Sequence, residues 1–577
     1  LSICRALLIG LAWAACSAAP ARATPQEADA AWTLDQLMPG GRLAWARVPD
    51  GSSLARDLPP ALLHHISLPG ELGELLNSWR EHADEGALQE LLGGPSELAV
   101  YQTEGQRLSG SAGARQVLLA TRPPDCQRAR ARIDELTAAC ARAGMPTHEG
   151  SYRGVTYRRL GRQLVLAWLG EQLVIASNDE LLADAVDGSR DPTRARSASK
   201  PPDSVELALA LDALHRKDFK GLRMARRRPV GRDALPILQL LLGPLGEQLA
   251  DSGWALGTLQ HSAQALSLEL NLPITDGGTR AAASAIDLPM SEFSLAAAVL
   301  RVDLGDVWRR REALASQQVQ PRLAKLDRSI SMLFAGRSLA EDVLSRLRPE
   351  LALVLGSHAF ERDDSIPSLR LPAACLVARL RSRDDSLASL LVVAFQSTLA
   401  GVNMQRAEEG HAPFLLSSLP HRGVILHSAQ LLAGEGSGDG SPTAPLSADF
   451  NLTPCLALVG DRLLLGSSTA QVRRLVDALL DEETRSVRGL AWLALDGASL
   501  ADELEQARLP LAGRLVLLRG SSADDALSEV DRWVAELRDA GRLEADLTSM
   551  PGSLRARLQL QRPGPDADVH DERSGDD

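Results

Sequence analysis

The chain has 577 residues, of which 45% are hydrophobic and 24% charged, and its formal net charge is −12. One hydrophobic core stops growing at roughly 250 to 300 residues, so at least two domains are expected. The composition excludes a wholly disordered chain, and the acidic balance argues against a dedicated nucleic-acid binder.

Arg5 precedes an apolar run from Ala6 to Ala15, which ends in small residues around Ala21-Arg22-Ala23. This is the pattern of a secretory signal peptide (1–23) cut after Ala23, so export to the periplasm or the exterior is expected. A rival is acylation of Cys16 as in bacterial lipoproteins, although Trp13 stands where such motifs carry Leu, Val or Ile. Loss of Arg5 and Arg22 makes the mature charge −14. No later stretch offers about 18 or more apolar residues without charges, so no transmembrane helix is expected in the mature chain.

Residues 24–42 read as an N-terminal linker, and the rest reads as one unit written twice, over 43–272 and 295–561. Leu43-Ala-Trp-Ala-Arg-Val-Pro-Asp50 is matched by Leu295-Ala-Ala-Ala-Val-Leu-Arg-Val-Asp303, which sets Arg47 against Arg301. Glu97-Leu98-Ala99-Val100 is matched by Glu350-Leu351-Ala352-Leu353, Val117 to Ala120 by Cys375 to Ala378, and the Arg153-Gly154-Val155 strand by Arg422-Gly423-Val424. Leu166 to Ser177 and Leu456 to Ser467 each place two apolar runs around a Gly-acid pair, a hairpin turning at Gly170-Glu171 and Gly460-Asp461. A helix follows each, begun by the capping types Asn178 and Ser468.

Strands ending in Asp212 and Asp496 come next, and each copy closes on a hairpin, Leu259 to Leu272 and Leu547 to Leu560, with alternating apolar residues. The stretch 273–294 reads as a linker, Gly434 to Pro445 as an inserted loop, and 562–577 as a disordered acidic tail. Helices that punctuate hairpins predict an α+β fold: two tandem copies of a mainly antiparallel sheet unit with helices packed on one sheet face. The packing stripes would be Ile133, Leu136, Thr137 and Cys140 in one helix, and Val472, Leu475, Val476 and Leu479 in another.

The strand-Arg-Val-Pro-Asp opening, the Arg-Gly-Val strand and the apolar-Gly-acid-apolar-Ser hairpin resemble bacterial exported proteins of the domain of unknown function 3352 family. The resemblance implies this fold and an export address. It implies no activity, cofactor or site residue.

Cys126 and Cys140 bracket a predicted helix and stand too far apart for a disulfide, while Cys375 and Cys455 open strands as buried thiols or, in an oxidising compartment, a bridge. Ser197-Ala-Ser-Lys200 has the S-x-x-K spacing of penicillin-binding proteins, but it lies in an Arg/Ser/Pro-rich stretch before Pro201-Pro202 without K-T-G or S-D-N partners. His421 and His427, read on one strand, would share a face roughly 20 Å apart, so no metal or other cofactor is expected. Asp50, Asp212, Asp303 and Asp496 recur at strand ends, where a carboxylate caps the following helix.

One polar feature is unabsorbed: Arg216, Lys217, Lys220, Arg223, Arg226, Arg227, Arg228 and Arg232 form a basic island on an acidic chain. It suits anionic lipid head groups or wall polymers. The first expectation is a non-catalytic binding or structural protein of the bacterial envelope, with an envelope protein or polymer as partner. The alternatives are an extracytoplasmic hydrolase with an unrecognised site and a membrane-peripheral protein held by residues 216–232.

Overall fold

A computed structural model describes residues 34–39, 42, 44–49, 90–91, 93–102, 115–142, 146–161, 164–191, 204–210, 240–241, 254–261, 265–274, 285–290, 294–314, 319–334, 336–360, 367, 369–382, 385–431 and 448–561. They fall into two compact units: unit 1 comprises Leu1–Arg228 and Gln248–Asp276, and unit 2 comprises Pro229–Glu247 and Gly277–Asp577. Both are α+β.

Unit 1 contains β1 (Ala44–Val48), β2 (Ser96–Gln102), β3 (Arg115–Thr121), α1 (Cys126–Arg142), β4 (Thr147–Tyr152), β5 (Val155–Leu160), β6 (Leu164–Leu169), β7 (Gln172–Ala176), α2 (Asp179–Arg190), β8 (Val205–Ala210), β9 (Trp254–His261) and β10 (Ala265–Pro273). Its sheet runs β10-β9-β8-β1-β2-β3-β7-β6-β5-β4, with every neighbouring pair antiparallel.

Unit 2 begins with β11 (Ile286–Pro289), β12 (Ser294–Leu300), α3 (Leu304–Arg309), α4 (Arg311–Leu314) and α5 (Gln320–Leu333). Then come β13 (Leu347–Gly356), β14 (Ala373–Leu380), α6 (Asp385–Glu408), β15 (Phe414–His421), β16 (Val424–Leu431), β17 (Cys455–Val459), β18 (Arg462–Gly466), α7 (Thr469–Leu480), β19 (Thr484–Val487) and β20 (Ala491–Asp496). It closes with α8 (Gly497–Gln506), α9 (Arg508–Arg519), α10 (Ala523–Ala540), β21 (Arg542–Met550) and β22 (Ser553–Gln561). The sheet runs β22-β21-β20-β12-β13-β14-β18-β17-β16-β15, again antiparallel throughout. Strand for strand this is the order of unit 1.

The same residues build the same joints in each unit. Arg153-Gly154 and Arg422-Gly423 all take positive φ, the signature of a two-residue type I′ hairpin. The Arg-Gly-Val segment is therefore a turn that opens β5 and β16 at its valine, not a strand as expected. The turn is anchored alike: Tyr152 and Arg153 reach Asp187 of α2, and His421 and Arg422 reach Asp477 at the matching place on α7. Asn178 accepts from the Leu181 N–H and Ser468 from the Gln471 N–H, which caps α2 and α7. Asp303 and Asp496 cap α3 and α8 in the same way, whereas Asp50 and Asp212 lie outside the described residues.

A buried ion pair also recurs. Arg47 and Glu97 face each other across β1 and β2, and fully buried Glu97 is also 3.0 Å from Arg42. In unit 2 Arg301 meets Glu350 at 3.2 Å, and Glu350 is 3.8 Å from Arg379, which bonds Asp461 at 2.9 Å.

Three expectations need correction. The helices cover both sheet faces: α2 packs on Leu118, Ala120, Val165, Ala167, Val174 and Ala176, while Ala129 and Ile133 of α1 pack on Leu164, Leu166, Leu173 and Ile175 of the opposite face. The near-continuous apolar runs of β6 and β7 are the mark of strands buried on both sides. The matching of Val117 to Cys375 is also one residue out of register. Leu118 pairs with Ala176 and Cys375 with Gly466, so Leu118 and Cys375 correspond, and a slip of one residue would turn each side chain to the wrong face.

The third correction concerns boundaries. Residues 286–289 of the expected linker form β11, paired with β19, because Ile286 and Leu288 alternate into the unit 2 core. Unit 2 also claims residues 229–247, where Leu240 packs among Val302, Val307, Leu314 and Leu323.

Candidate functional site

Among the described residues, one surface that departs from charged, water-facing chemistry is the outer side of α6. From Ser386 to Gln405 the chain carries no charge. The run folds as a 24-residue helix, about 36 Å long, on the sheet of unit 2. Its inward side chains Leu387, Ala394 and Leu399 are buried against Leu380, Phe414, Ala429 and Leu431. Outward stand Ser389, Val393, Gln396, Ser397, Ala400, Gly401 and Met404, with Val393 53% and Met404 69% exposed.

Unit 1 supplies the contrast. α1 occupies the same place between the third and fourth strands, and exposes Arg128, Arg130, Asp134, Glu135 and Arg142. A surface helix ordinarily keeps charge on its solvent side, as α1 does and α6 does not. By length and composition alone α6 is long and apolar enough to cross a membrane, and 17% of its apolar window is buried. Ser, Thr, Gln and Asn interrupt its apolar run without charging it.

The strand beside α6 is blunted against pairing. Among the described residues β15 pairs with β16 alone, and the Asn403 amide of α6 bonds both the Phe414 N–H, at 2.7 Å, and the Phe414 carbonyl, at 2.8 Å. Pro420 removes a further donor from that strand.

A second departure lies where α7 crosses the end of β13. Gln471 is 1% exposed, both polar atoms of its amide lack a hydrogen bond, and the amide fills the space that a Cβ at position 356 would take, so only Gly356 fits beneath it. Arg474, one turn on, donates to the Ser357 carbonyl at 3.1 Å. Next in line, His358 stacks on Phe360 with an unpaired Nδ1. Burial, helped by the Arg474 charge, holds the His358 imidazole neutral, its pKa lowered from 6.5 to about 4.

The sign of the pH dependence follows. Below pH 6.5 the unfolded chain takes up a proton that the folded chain refuses until about pH 4, so the contribution of neutral His358 is full above 6.5 and is lost as pH falls through that window. With the ring partly open to solvent, the loss is about 1 to 2 kcal/mol. Urea unfolding at both ends of the window should show His358→Phe losing less stability on acidification than the parent; equal losses would refute the assignment.

The groups singled out for catalysis or metal binding do not converge. His421 ends β15 and His427 lies within β16, so the turn separates what was read as one strand. His421 bonds Asp477 of α7 at 2.7 Å, whereas His427 bonds Ser418 at 3.1 Å on the other face of the hairpin, so the two pairs do not join into a relay. Cys375 and Cys455 are free thiols on either side of β18, both opposite Gly466. Two strand spacings, about 9.5 Å, exceed disulfide reach, and burial pushes both thiols up to about 12.

The basic island, Arg216 to Arg232, lies outside the described residues, as do Ser197 to Lys200, Cys16 and the signal peptide. No protein-family model and no curated protein matches the chain. Among solved structures, crystal form IV of TP0453 aligns with 43% of this chain and 83% of its own at 8% identity and a TM-score of 0.24. Crystal form I of TP0453 aligns with 43% and 81% at 11% identity and a TM-score of 0.23. At those scores the likeness carries no argument about role.

Proposed function

We propose that the protein is an exported, non-catalytic binding or structural component of the bacterial envelope, in which unit 2 presents the outer face of α6 to a protein partner. The observation that carries this reading is the contrast between the uncharged run Ser386 to Gln405 of α6 and the charged outer face of α1 at the same place in two sheets of the same strand order. Small uncharged residues such as Ser389, Ser397, Ala400 and Gly401 let another backbone approach closely, and a Cβ at Gly401 would meet nothing within 4 Å. The signal-peptide pattern and the family resemblance support the envelope address.

The test is a photo-crosslinking residue at Met404 in cells making the full chain, with one at Arg130 of α1 as control. A discrete protein adduct at position 404 alone, abolished by Val393→Glu with Ala400→Glu, is the expected result. No adduct at 404, or equal adducts at both positions, would refute the reading.

A further inference from the structure

A different surface of unit 2 has a different chemistry. The α9 sequence, Arg508-Leu-Pro-Leu-Ala-Gly-Arg-Leu-Val-Leu-Leu-Arg519, holds three arginines and no acid. Ala512 and Leu515 pack on Ala526 and Val530 of α10. With about 3.6 residues per turn, Leu509, Pro510, Gly513, Arg514, Leu517 and Leu518 fall on the side away from that contact. Leu509, Leu517 and Leu518 are 71%, 87% and 72% exposed, more open than any other described leucine. Asp531 of α10 holds Arg508 at 2.7 Å and Glu529 holds Arg519 at 2.7 Å, and exposed Arg514 is the charge that α9 carries on its outer face.

We infer that α9 docks on an anionic lipid surface, seating Leu509, Leu517 and Leu518 among the upper acyl carbons with Arg514 at the head groups. Charge decides the occupant. A helix whose outer face joins bulky leucines to an arginine and carries no acid matches the boundary of an anionic bilayer, where apolar insertion and cation attraction add. The α6 face, with small polar residues and no cation, lacks the second element. The basic island at 216–232 lies between β8 and β9, the same interval of the unit 1 sequence that α8 to α10 fill between β20 and β21 in unit 2.

The mature chain should co-sediment with vesicles of phosphatidylglycerol and phosphatidylcholine, more weakly with phosphatidylcholine alone, and less as salt rises. Leu517→Glu with Leu518→Glu should reduce partitioning about tenfold or more without changing the thermal melt, since both side chains are already in water. Arg514→Glu should weaken binding to the anionic vesicles and leave the phosphatidylcholine baseline unchanged. Absence of binding by the parent would overturn the inference, as would binding unaffected by the leucine changes. Loss of binding only when Arg226, Arg227 and Arg228 are replaced would assign the contact to the basic island instead, and self-association of the parent abolished by the leucine changes would assign the face to a second copy.

Discussion

Replacement of Glu97 by alanine is expected to lower the unfolding free energy by about 3 to 5 kcal/mol, the largest single effect foreseen for unit 1. The carboxylate is fully buried and sits 3.0 Å from Arg42 and 3.5 Å from Arg47, whose own side chain is 13% exposed. Its removal takes the buried carboxylate away from both guanidinium groups; among the described residues Glu206 is 4.0 Å from Arg47 and is 43% exposed. The equivalent Glu350→Ala should be milder, because Arg379 keeps its bond to Asp461 and Arg301 keeps its bond to the Gly489 carbonyl at 2.7 Å. Denaturant unfolding of each variant checks both magnitude and order. A Glu97→Ala loss below about 1 kcal/mol would place the pair among ordinary surface bridges.

Gln471→Leu is expected to act in the opposite sense and to stabilise the chain by about 1 to 3 kcal/mol. The amide is buried at the third position of α7 with neither polar atom bonded. The matching position of α2 in unit 1 is Leu181, which is 5% exposed in the same packing layer. Leucine therefore has a precedent of shape there, and it removes two desolvated polar atoms. A rise in the denaturation midpoint with unchanged slope is the expected measurement. A fall would mean that the amide holds an ordered water or another polar group whose loss outweighs the gain.

The pattern of agreement between sequence and structure has a physical basis. Local geometry was legible because it is set by few residues: Gly170 and Gly460 at hairpin turns, Asn178 and Ser468 at helix starts, and the Val472, Leu475, Val476 and Leu479 stripe, all of which lie where their chemistry requires. The Arg-Gly turn was misread as strand because arginine seldom takes positive φ, and only the hairpin closed by His421 and Val424 imposes it. The candidate surface carries its signal in the uncharged run of α6, whose polar residues interrupt a purely apolar stretch.

The sequence by itself determined the α+β class and the recurrence of turn and cap residues, since periodicity, turns and caps are set by residues close in the chain. The tertiary structure alone decided that helices cover both sheet faces, that Leu118 rather than Val117 answers to Cys375, and which side of α6 and α9 meets water. Those outcomes rest on pairings between strands and helices distant in sequence, and a shift of one residue in such a pairing exchanges the buried and exposed faces without altering any local pattern.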